Sequence, residues 1–476
     1  MTLSRRAFVA ASAATLASIA LPGRADAPVG PLRSFSPAQL QADLDFLAAT
    51  MIEVGVNPFV STSREAFDSA LASARRGLTQ PLDIFAFYGR VAPVFTSLDD
   101  GHLGLDVDDA FKRYRDAAGT AFPLQVDLRA SGAYAAETDV PAIPAGSKLL
   151  AIDGADIDEV IDGTLTLVSG QSRALRLAFA DENSLRYYLF AKDGPRSKYT
   201  VTALRPDGTS ETVVVPATTR VQLTTHLPAI AVADAPDYAY ARIANGRVGY
   251  IDYRSCTDLK KFGAFLHDAF SQIASQPVSG LVIDIRKNGG GDSSLNDLLW
   301  GYVTDKPFTQ FGGYSARANA LLKDRYGKQK YSQIYGKRAW NAPNGTVVTY
   351  RDDAPVAPGP NPLRYKGPVY LLIGVGTFSS AMACAVAAKD FGLATIVGEE
   401  TAEPVNSNGE LYEGAAPNTG LEFYFPTKYW FGPKPRPDGQ GVVPDVTIKT
   451  TDADIVKHRD PVLLYAVAQI LGLTPM

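Results

Sequence analysis

The chain has 476 residues, of which 46% are apolar and 20% charged, and its formal net charge is −4. This is an ordinary globular composition, long enough for two or three cores. A near-neutral balance without a block of like charge argues against nucleic-acid binding. The two cysteines, Cys256 and Cys384, could pair, but their wide separation is more typical of separate buried residues.

Residues 1–27 have the layout of an export signal. A basic pair, Arg5 and Arg6, precedes an apolar stretch, and the small residues Ala25 and Ala27 end it. The run SRRAFVA resembles a twin-arginine signal, although a chance arginine pair in a general secretory signal remains the alternative. Cleavage after either alanine is open. No other apolar run approaches the roughly 20 residues that span a membrane, so we expect a periplasmic or secreted protein once the signal is removed.

A helical region is predicted next, over residues 28–115. Two capping boxes mark helix starts in it, Ser36 with Gln39 and Thr62 with Glu65. The region ends at the polar turn Asp100-Gly101-His102.

Residues 116–220 are predicted to form a β-rich domain. Short apolar runs alternate with turns, and Pro206-Asp207-Gly208 predicts a hairpin. The stretch VPAIPAGSKLLAIDGADIDEVIDG is similar to part of a PDZ-type module.

Residues 236–476 read as an α/β domain. Apolar strands alternate with helices, which predicts a parallel sheet covered by helices. Residues 301–366 are rich in Gly, Pro, Lys, Arg and Tyr, and they are predicted to form a long surface excursion between sheet elements.

Two loops follow strands of this predicted sheet, at the edge where α/β proteins bind ligands. The first, KNGGGD at 287–292, contains three glycines whose backbone N–H groups can face one point. The second, GVGTFSS at 374–380, leads into a helix. From the residues alone, the glycines could form either a tight turn or an anion-binding loop. Ser379 and Ser380 are explained equally well as helix caps and as nucleophiles. The third glycine of a dinucleotide fingerprint and the Gly-x-Ser-x-Gly elbow are both missing.

Several fragments occur together in a recognisable order: Asp100-Gly101-His102, VIDIRKNGGG, TFSSA, GLATIVGEET and GQGVVPDVTI. This set resembles the tail-specific or carboxyl-terminal processing protease family, nearest to its branch with the tricorn core protease and the interphotoreceptor retinoid-binding protein modules. The resemblance implies an α/β fold with a ClpP/crotonase-like catalytic core, an N-terminal helical domain and a PDZ-like domain.

The resemblance also implies roles for the second loop. Counting back from Asp390-Phe391-Gly392 selects Ser379 as the nucleophile. Ser380 then offers a backbone N–H to the oxyanion, and Gly289 or Gly290 supplies the second donor.

The base is where the chain departs from the processing proteases, which use a lysine about 25 residues after the serine. Pro404 stands there, and no lysine occurs from 390 to 427, so a Ser–Lys pair at that position is excluded. Histidine is the natural substitute. The four histidines are His102, His226, His267 and His458. His102 is placed like the catalytic histidine of the tricorn branch, and His226 is a second, weaker candidate. The structural alternative is that the turn containing His102 only packs the helical region against the core.

The acid that orients the base is predicted by similarity to be Asp438, one methylene shorter than the family's glutamate. Glu399, Glu403 and Glu410 remain alternatives within the loop that lost the lysine. Asp284 and Arg286 are expected to organise the glycine loop, and Asp445 the terminal strand.

These patterns favour an exported serine peptidase that works through an acyl-enzyme. A non-catalytic binder of apolar ligands or peptides on the same fold, or a small-substrate esterase or amidase, is the alternative. No metal or cofactor is implied. The expected partner is a peptide or protein that adds as a strand to a sheet or PDZ edge, and the oligomeric state is open.

Overall fold

A computed structural model describes residues 32–474 except 139, 182, 220–235, 352–353 and 458. The predicted export signal, His226 and His458 therefore lie outside the described residues. Within the described part, none of the helices combines the length and the apolar character needed to cross a bilayer.

Three helices open the described chain: α1 (Pro37–Val54), α2 (Arg64–Gly77) and α3 (Ile84–Thr96). The capping box of Ser36 and Gln39 is confirmed at the start of α1. The second predicted box is wrong by one residue, because Ser63 caps α2 and accepts from the N–H of Ala66. The hydroxyl of Thr62 instead donates to the carbonyl of Ser97 at 2.6 Å, which joins the start of α2 to the end of α3.

The middle of the chain contains the elements β1 (Gly104–Asp106), α4 (Asp108–Asp116), β2 (Gln125–Arg129), β3 (Gly132–Glu137), β4 (Lys148–Ile152), β5 (Ala155–Asp156), α5 (Ile157–Leu165), α6 (Arg173–Phe179), α7 (Ser184–Asp193), β6 (Lys198–Leu204) and β7 (Ser210–Pro216). Strands β2, β3, β4, β6 and β7 form an antiparallel sheet in that order, with β5 added to β4. The predicted hairpin joins β6 to β7. Alternate residues of this sheet, such as Leu149 and Val201, pack against Ile161 of α5 in a shared core.

The remaining elements are β8 (Tyr238–Ile243), β9 (Val248–Tyr253), α8 (Leu259–Ser275), β10 (Gly280–Asp284), α9 (Ser294–Gly301), β11 (Gly313–Arg317), α10 (Ala320–Tyr335), α11 (Lys337–Asn341), β12 (Val347–Tyr350), β13 (Val369–Ile373), α12 (Ser380–Phe391), β14 (Thr395–Gly398), β15 (Ser407–Ala415), β16 (Glu422–Phe431), β17 (Val446–Thr447), α13 (Asp452–Val456) and α14 (Pro461–Leu471). They build two sheets.

The first of these sheets has the order β17-β14-β13-β10-β9-β8. The predicted parallel pairing is confirmed from β9 to β17, and β8 is an antiparallel edge strand. All five residues of β10 are buried, as expected for a strand covered by helices on both faces. The glycine loop follows β10 and the serine loop follows β13, so these neighbouring strands deliver both loops to the same edge of the sheet.

The second sheet has the order β1-β16-β11-β12, with β15 on β16. It shows that residues 301–366 are not the surface excursion predicted from their composition. Strand β11, which lies within residues 301–366, pairs with β16 in this sheet. Tyr331 and Tyr335 of α10, in the same part of the chain, are fully buried. The Lys and Arg residues that suggested a surface loop alternate along α10 with aromatic residues, which pack into a core.

Two contacts tie the N-terminal part of the chain to this sheet. Strand β1 pairs antiparallel with β16, with Gly104 opposite Tyr424. Asp43 of α1 is completely buried and accepts hydrogen bonds from the backbone N–H groups of Asn418 and Thr419, in the turn between β15 and β16. The N-terminal part of the chain therefore contacts both this turn and the start of the strand that follows it.

Candidate active site

Ser379 lies at the end of the loop between β13 and α12, immediately before the first residue of the helix. Its φ is +55° and its ψ is −124°, a conformation that costs energy for a residue with a side chain. Its hydroxyl does not cap α12. The side-chain Oγ instead lies 3.1 Å from Nε2 of His102. The loop thus presents the hydroxyl to a ring from the N-terminal part of the chain.

His102 is held in the turn between α3 and β1. Its backbone N–H donates to Oδ1 of Asp100 at 2.9 Å. Its ring stacks on Phe378, with ring centres 4.5 Å apart and an angle of 29° between the planes. The residue is 3% exposed, and this burial lowers the pKa of His102 to about 3. The imidazole is therefore neutral near pH 7 and able to accept a proton.

Glu403 is the carboxylate closest to the second ring nitrogen of His102. Its Oε1 lies 3.6 Å from Nδ1 of His102, within ion-pair range but longer than a hydrogen bond. The same oxygen accepts from the hydroxyl of Ser407 at 2.7 Å, and Oε2 accepts from the backbone N–H of Ser379. Complete burial raises the pKa of Glu403 to about 8, and these two donors oppose the rise.

Asp100 is the other acid near the ring. Its Oδ1 lies 4.0 Å from Nδ1 of His102, and its Oδ2 accepts from the side-chain amide of Asn408 at 2.8 Å. Burial raises the pKa of Asp100 as well. Asp100 therefore holds the turn and links it to β15.

The structure does not bring Asp438, the orienting acid predicted by similarity, against the ring of His102. Asp438 is exposed in the turn before Gly439, and its charge acts on the hydroxyl of Tyr429. Glu403, one of the alternatives in the loop that lost the lysine, lies against the imidazole instead. Position in the loop was the usable signal, since Glu403 directly precedes Pro404, where the processing proteases carry their lysine.

Ser380 is the first residue of α12, so its backbone N–H has no hydrogen-bond acceptor within the helix. Its hydroxyl donates to the carbonyl of Gly291 at 2.5 Å. Its own carbonyl accepts from the side-chain amide of Asn296 at 2.7 Å. These bonds fix the first turn of α12 against the glycine loop.

The glycine loop approaches the serine loop without space for a side chain. A Cβ on Gly290, which has a φ of +101°, would lie 2.7 Å from Cβ of Ser379. The N–H of Gly290 donates to Oδ1 of Asn288 at 2.8 Å, so the predicted Gly290 donor is already engaged. Gly289, the other predicted donor, is partly exposed, and it is Gly291 that lines the cleft beside Ser379.

The backbone of Gly291 faces Ser380. The N–H of Cys256 donates to the carbonyl of Gly290, and the N–H of Asp292 donates to the carbonyl of Cys256. Gly291 lies between these two bonds with a φ of +130°, and its carbonyl accepts from the hydroxyl of Ser380.

Ser379 and His102 open onto a cleft with a volume of about 1230 Å³. Residues of β15 and of the polar face of α10 line it, together with apolar side chains that include Phe311, Met382, Val405 and Trp430. The lining of the cleft is thus mixed, both polar and apolar.

The remaining predicted residues lie elsewhere. His267 is exposed on α8, and Glu410 pairs with Lys428 at 3.1 Å. Arg286 bridges Asp284 and Asp460 with bonds of 3.0 and 2.9 Å, which ties the end of β10 to the start of α14. Asp445 accepts from the N–H of Ile396 at 2.8 Å. Cys256 and Cys384 are both buried and carry free thiols.

Residues 247–448 match the sequence model of peptidase family S41. This part of the chain is therefore similar in sequence to peptidase family S41. The protein is accordingly a serine-type peptidase, a hydrolase, and its substrate is a peptide or protein. None of the curated proteins compared with the chain matches it.

Solved structures extend the likeness in fold beyond the matched segment. A mutant of CPAF is similar with a TM-score of 0.61 at 17% identity, covering 92% of this chain and 99% of the other. Mature CPAF complexed with lactacystin has a TM-score of 0.60 at 18% identity, with the same coverage of 92% and 99%. At these identities the likeness is one of fold, and it extends over nearly the whole described chain.

Proposed function

We propose that the protein is an exported serine peptidase that cleaves peptide bonds through an acyl-enzyme on Ser379, with His102 as base and Glu403 as the acid behind it. The observation that carries the proposal is the 3.1 Å separation of Ser379 Oγ and His102 Nε2. A serine hydroxyl needs an adjacent base to attack a carbonyl, and a neutral imidazole at hydrogen-bond distance supplies one.

In the first half of the reaction, Ser379 Oγ bonds to the carbonyl carbon of the scissile peptide while its proton moves to Nε2 of His102. The carbonyl π electrons move onto oxygen. When the tetrahedral intermediate collapses, the C–N bond breaks and the Nε2 proton passes to the leaving nitrogen. In the second half, water loses a proton to Nε2 as its oxygen bonds to the acyl carbon. When this second tetrahedral intermediate collapses, the bond from the acyl carbon to Oγ breaks, the carboxylic acid product leaves, and the Nε2 proton returns to Ser379 Oγ.

Glu403 stabilises the imidazolium formed in both halves. Its carboxylate lies 3.6 Å from Nδ1, a separation that a small tilt of the ring reduces to a hydrogen bond in the reacting complex. Because the pair is buried, the attraction between the two charges is much stronger than it would be in water.

The oxyanion is stabilised by two backbone donors. We assign them to the N–H groups of Ser380 and Gly291, in place of the earlier choice of Gly289 or Gly290. The support is that Ser380 lies at the first helical position, that Gly291 lines the cleft, and that the N–H of Gly290 is engaged by Asn288. Two preorganised donors stabilise the transition state more than the ground state.

The proposal extends to the rest of the chain. Residues 1–27 act as the export signal, residues 28–115 as a helical domain and residues 116–220 as a PDZ-like domain ahead of the catalytic core at 236–476. Support for a link to the site comes from α6, where Arg176 donates to Asp99 at 2.6 Å and Phe179 packs edge-on against Phe378 at 4.9 Å.

The test is reaction with a fluorophosphonate and turnover of a quenched peptide by the mature chain. Ser379→Ala is expected to abolish labelling and to lower kcat by roughly 10⁴-fold or more. Ser380→Ala is the matched control, because it keeps the backbone N–H and removes only the bond to Gly291. Activity that survives Ser379→Ala and is lost in Ser380→Ala contradicts the assignment, and a folded wild-type chain that is neither labelled nor active contradicts the proposed function.

A further inference from the structure

Helix α9 has a buried face that is apolar except at one position. Its buried residues are Leu295, Asn296, Leu299 and Trp300. The three apolar members belong to the core that also contains Met382 and Cys384 of α12. Asn296 is completely buried beside them, so an amide stands where a further apolar side chain would pack. Because burying an amide is costly unless its polar groups are bonded, the partners of Asn296 indicate its role.

The amide nitrogen of Asn296 faces two oxygen atoms. It donates to the carbonyl of Ser380 at 2.7 Å and to Oε1 of Gln310 at 2.8 Å. Since a backbone carbonyl only accepts, the group that faces Ser380 is Nδ2, and the orientation of the amide is determined. The amide oxygen, Oδ1, accepts from the hydroxyl of Tyr253 at 3.2 Å. Every polar atom of this side chain is thus engaged.

Gln310 holds Asn296 from the side away from Ser380. It is 5% exposed, and its Nε2 donates to the carbonyl of Ser293 at 2.9 Å and to Oδ1 of Asp297 at 2.7 Å. Because the Ser293 carbonyl only accepts, Nε2 lies on that side and Oε1 faces Asn296. A chain of hydrogen bonds with fixed orientations therefore leads from α9 through Gln310 to Asn296 and on to Ser380.

Ser380 is held at two of its three polar groups. Its hydroxyl donates to the carbonyl of Gly291, and its carbonyl accepts from Asn296. In an α-helix such a carbonyl also accepts from the N–H four residues on, so the bond from Asn296 is additional and is not needed to satisfy it. The third polar group is the backbone N–H, the proposed donor to the oxyanion.

The peptide group that carries this N–H is fixed on both sides. On one side, the backbone N–H of Ser379 donates to Glu403, and the φ of Ser379 is +55°. On the other side, Asn296 binds the carbonyl of Ser380. An oxyanion donor is effective because its direction is set before the charge develops, so the residues that set this direction contribute to the rate.

We propose that Asn296 is a positioning residue of the oxyanion site and that Gln310 supports it. The bond from Asn296 holds the first residue of α12 so that the N–H of Ser380 keeps its direction while the tetrahedral intermediate forms and collapses. Asn296 is absent from the described residues that line the cleft, so it acts through Ser380 rather than on the substrate. This inference rests on the proposed peptidase function and adds two residues to its machinery.

The test compares Asn296→Ala with Asn319→Ala, a matched control at another buried asparagine. Asn319 is 1% exposed, and its side chain accepts from the N–H of Leu322 at 2.8 Å at the start of α10. The measurements are kcat and KM on a quenched peptide, the inhibition constant of a peptide aldehyde of the same sequence, and Tm.

The aldehyde reports on the oxyanion site. When Ser379 Oγ bonds to the aldehyde carbon, the carbonyl π electrons move onto oxygen and the Oγ proton passes to Nε2 of His102. The adduct therefore carries an oxyanion like that of the transition state, and its stability depends on the same donors.

Asn296→Ala is expected to lower kcat about 10- to 100-fold and to raise the inhibition constant of the aldehyde by a similar factor, with KM changed by less than about 3-fold. Loss of a whole oxyanion donor lowers kcat by roughly 10²- to 10³-fold, and a donor that is present but loosely held loses part of that effect. Asn319→Ala is expected to lower Tm while kcat and the inhibition constant stay within about 2-fold of wild type, because a lost helix cap destabilises the fold away from the site.

An unchanged inhibition constant in Asn296→Ala overturns the inference, whether or not kcat falls. A rise in KM with kcat unchanged overturns it too, since it places the effect in substrate binding. Equal losses in Asn319→Ala have the same consequence, because they indicate a general loosening of the fold.

Gln310→Met is the second variant, and it decides the question if Asn296→Ala does not fold. It keeps the length of the side chain but removes the acceptor that holds the Asn296 amide. The same pattern is expected with smaller changes, about 3- to 10-fold in kcat and in the inhibition constant, and an unchanged inhibition constant overturns the inference. A folded wild-type chain that neither cleaves the peptide nor binds the aldehyde contradicts the proposed function, whereas an active wild type with unaffected variants contradicts only the role of Asn296.

Discussion

The carboxylate of Glu403 accepts a hydrogen bond from the backbone N–H of Ser379. Its other oxygen lies 3.6 Å from His102 Nδ1. One buried side chain therefore fixes the backbone of the proposed nucleophile and faces the proposed base. The strained φ of Ser379 and the orientation of the imidazole depend on the same residue, and the charge state of Glu403 acts on both.

Replacing this carboxylate tests its role directly. We expect Glu403→Gln to lower kcat by roughly 10²- to 10⁴-fold, because the amide keeps the shape but does not stabilise an imidazolium. Asp438→Asn, at the exposed position first chosen by similarity, is expected to leave kcat unchanged. Steady-state kinetics on one peptide decides between them, and a large loss in Asp438→Asn with none in Glu403→Gln reverses the assignment.

The pH profile of kcat/KM follows from the same pair. Burial lowers the pKa of His102 to about 3, so the base is neutral throughout the usual range. Burial raises the pKa of Glu403 to about 8, so the carboxylate forms only as the pH rises toward that value. Activity is therefore expected to increase with pH up to about 8. A profile that is flat from about pH 5 to 9 contradicts this dependence on Glu403.

Ser407 provides a second way to move the profile. Its hydroxyl donates to Glu403 at 2.7 Å and lowers the pKa of that carboxyl. Removing the donor in Ser407→Ala raises the pKa further, so the rising limb of kcat/KM is expected to shift to higher pH. A shift to lower pH, or an unchanged limb with reduced activity at every pH, shows that Ser407 acts in another way.

The buried acid also affects stability. The pKa of Glu403 rises from 4.5 to about 8 on folding, so the folded chain holds this proton more tightly. The stability that results is complete below about pH 4.5 and is lost as the pH rises toward 8. Glu403→Gln is expected to raise Tm relative to wild type more at about pH 9 than at about pH 5. Thermal unfolding at both pH values measures this, and an equal change in Tm at each is the contrary result.

The ring beneath the imidazole offers a separate test. Phe378 stacks on His102 at 4.5 Å and precedes Ser379 in the chain. Phe378→Leu keeps an apolar side chain but removes the flat surface, and we expect kcat to fall about 10-fold with KM nearly unchanged. Phe391→Leu, at the far end of α12, is the control. A rise in KM without a change in kcat indicates a contact with the substrate instead.

The export signal is tested by Arg5→Lys combined with Arg6→Lys. A twin-arginine signal is read by a receptor that requires the arginines, so the double variant is expected to remain in the cytoplasm. Fractionation of cells that express the full chain measures the distribution. Unimpaired export of the double variant favours a general secretory signal.

Much of the architecture was predictable because hydrophobic periodicity is a local property. The capping box of Ser36, the parallel core strands and the hairpin after β6 all follow from short patterns. Residues 301–366 were misread because their charged residues and glycines suggested a surface loop, whereas Tyr331 and Tyr335 pack in a core that is completed by β16, about 90 residues later. Composition does not show a partner at that distance.

The site was predictable to a different degree in each part. Ser379 and His102 were reached through motifs that lie at loop ends, and the structure brings their side chains together. Position in the loop left Glu403 as one of three glutamate alternatives, and the sequence does not show which of their carboxylates lies against the imidazole. Gly291 was not predicted, since a motif does not show which glycine of the loop lines the cleft. Asp438 directly precedes the fragment GQGVVPDVTI, which carries part of the resemblance, but Asp438 is exposed.

The pairing of β1 with β16 has a consequence for how the protein is made. His102 is synthesised 277 residues before Ser379, but the strand that follows it is held by Gly104 opposite Tyr424, close to the end of the chain. A nascent chain that has not yet released β16 therefore lacks the support that brings base and nucleophile together. We therefore expect the chain to be inactive toward itself and its neighbours until β16 has folded against β1.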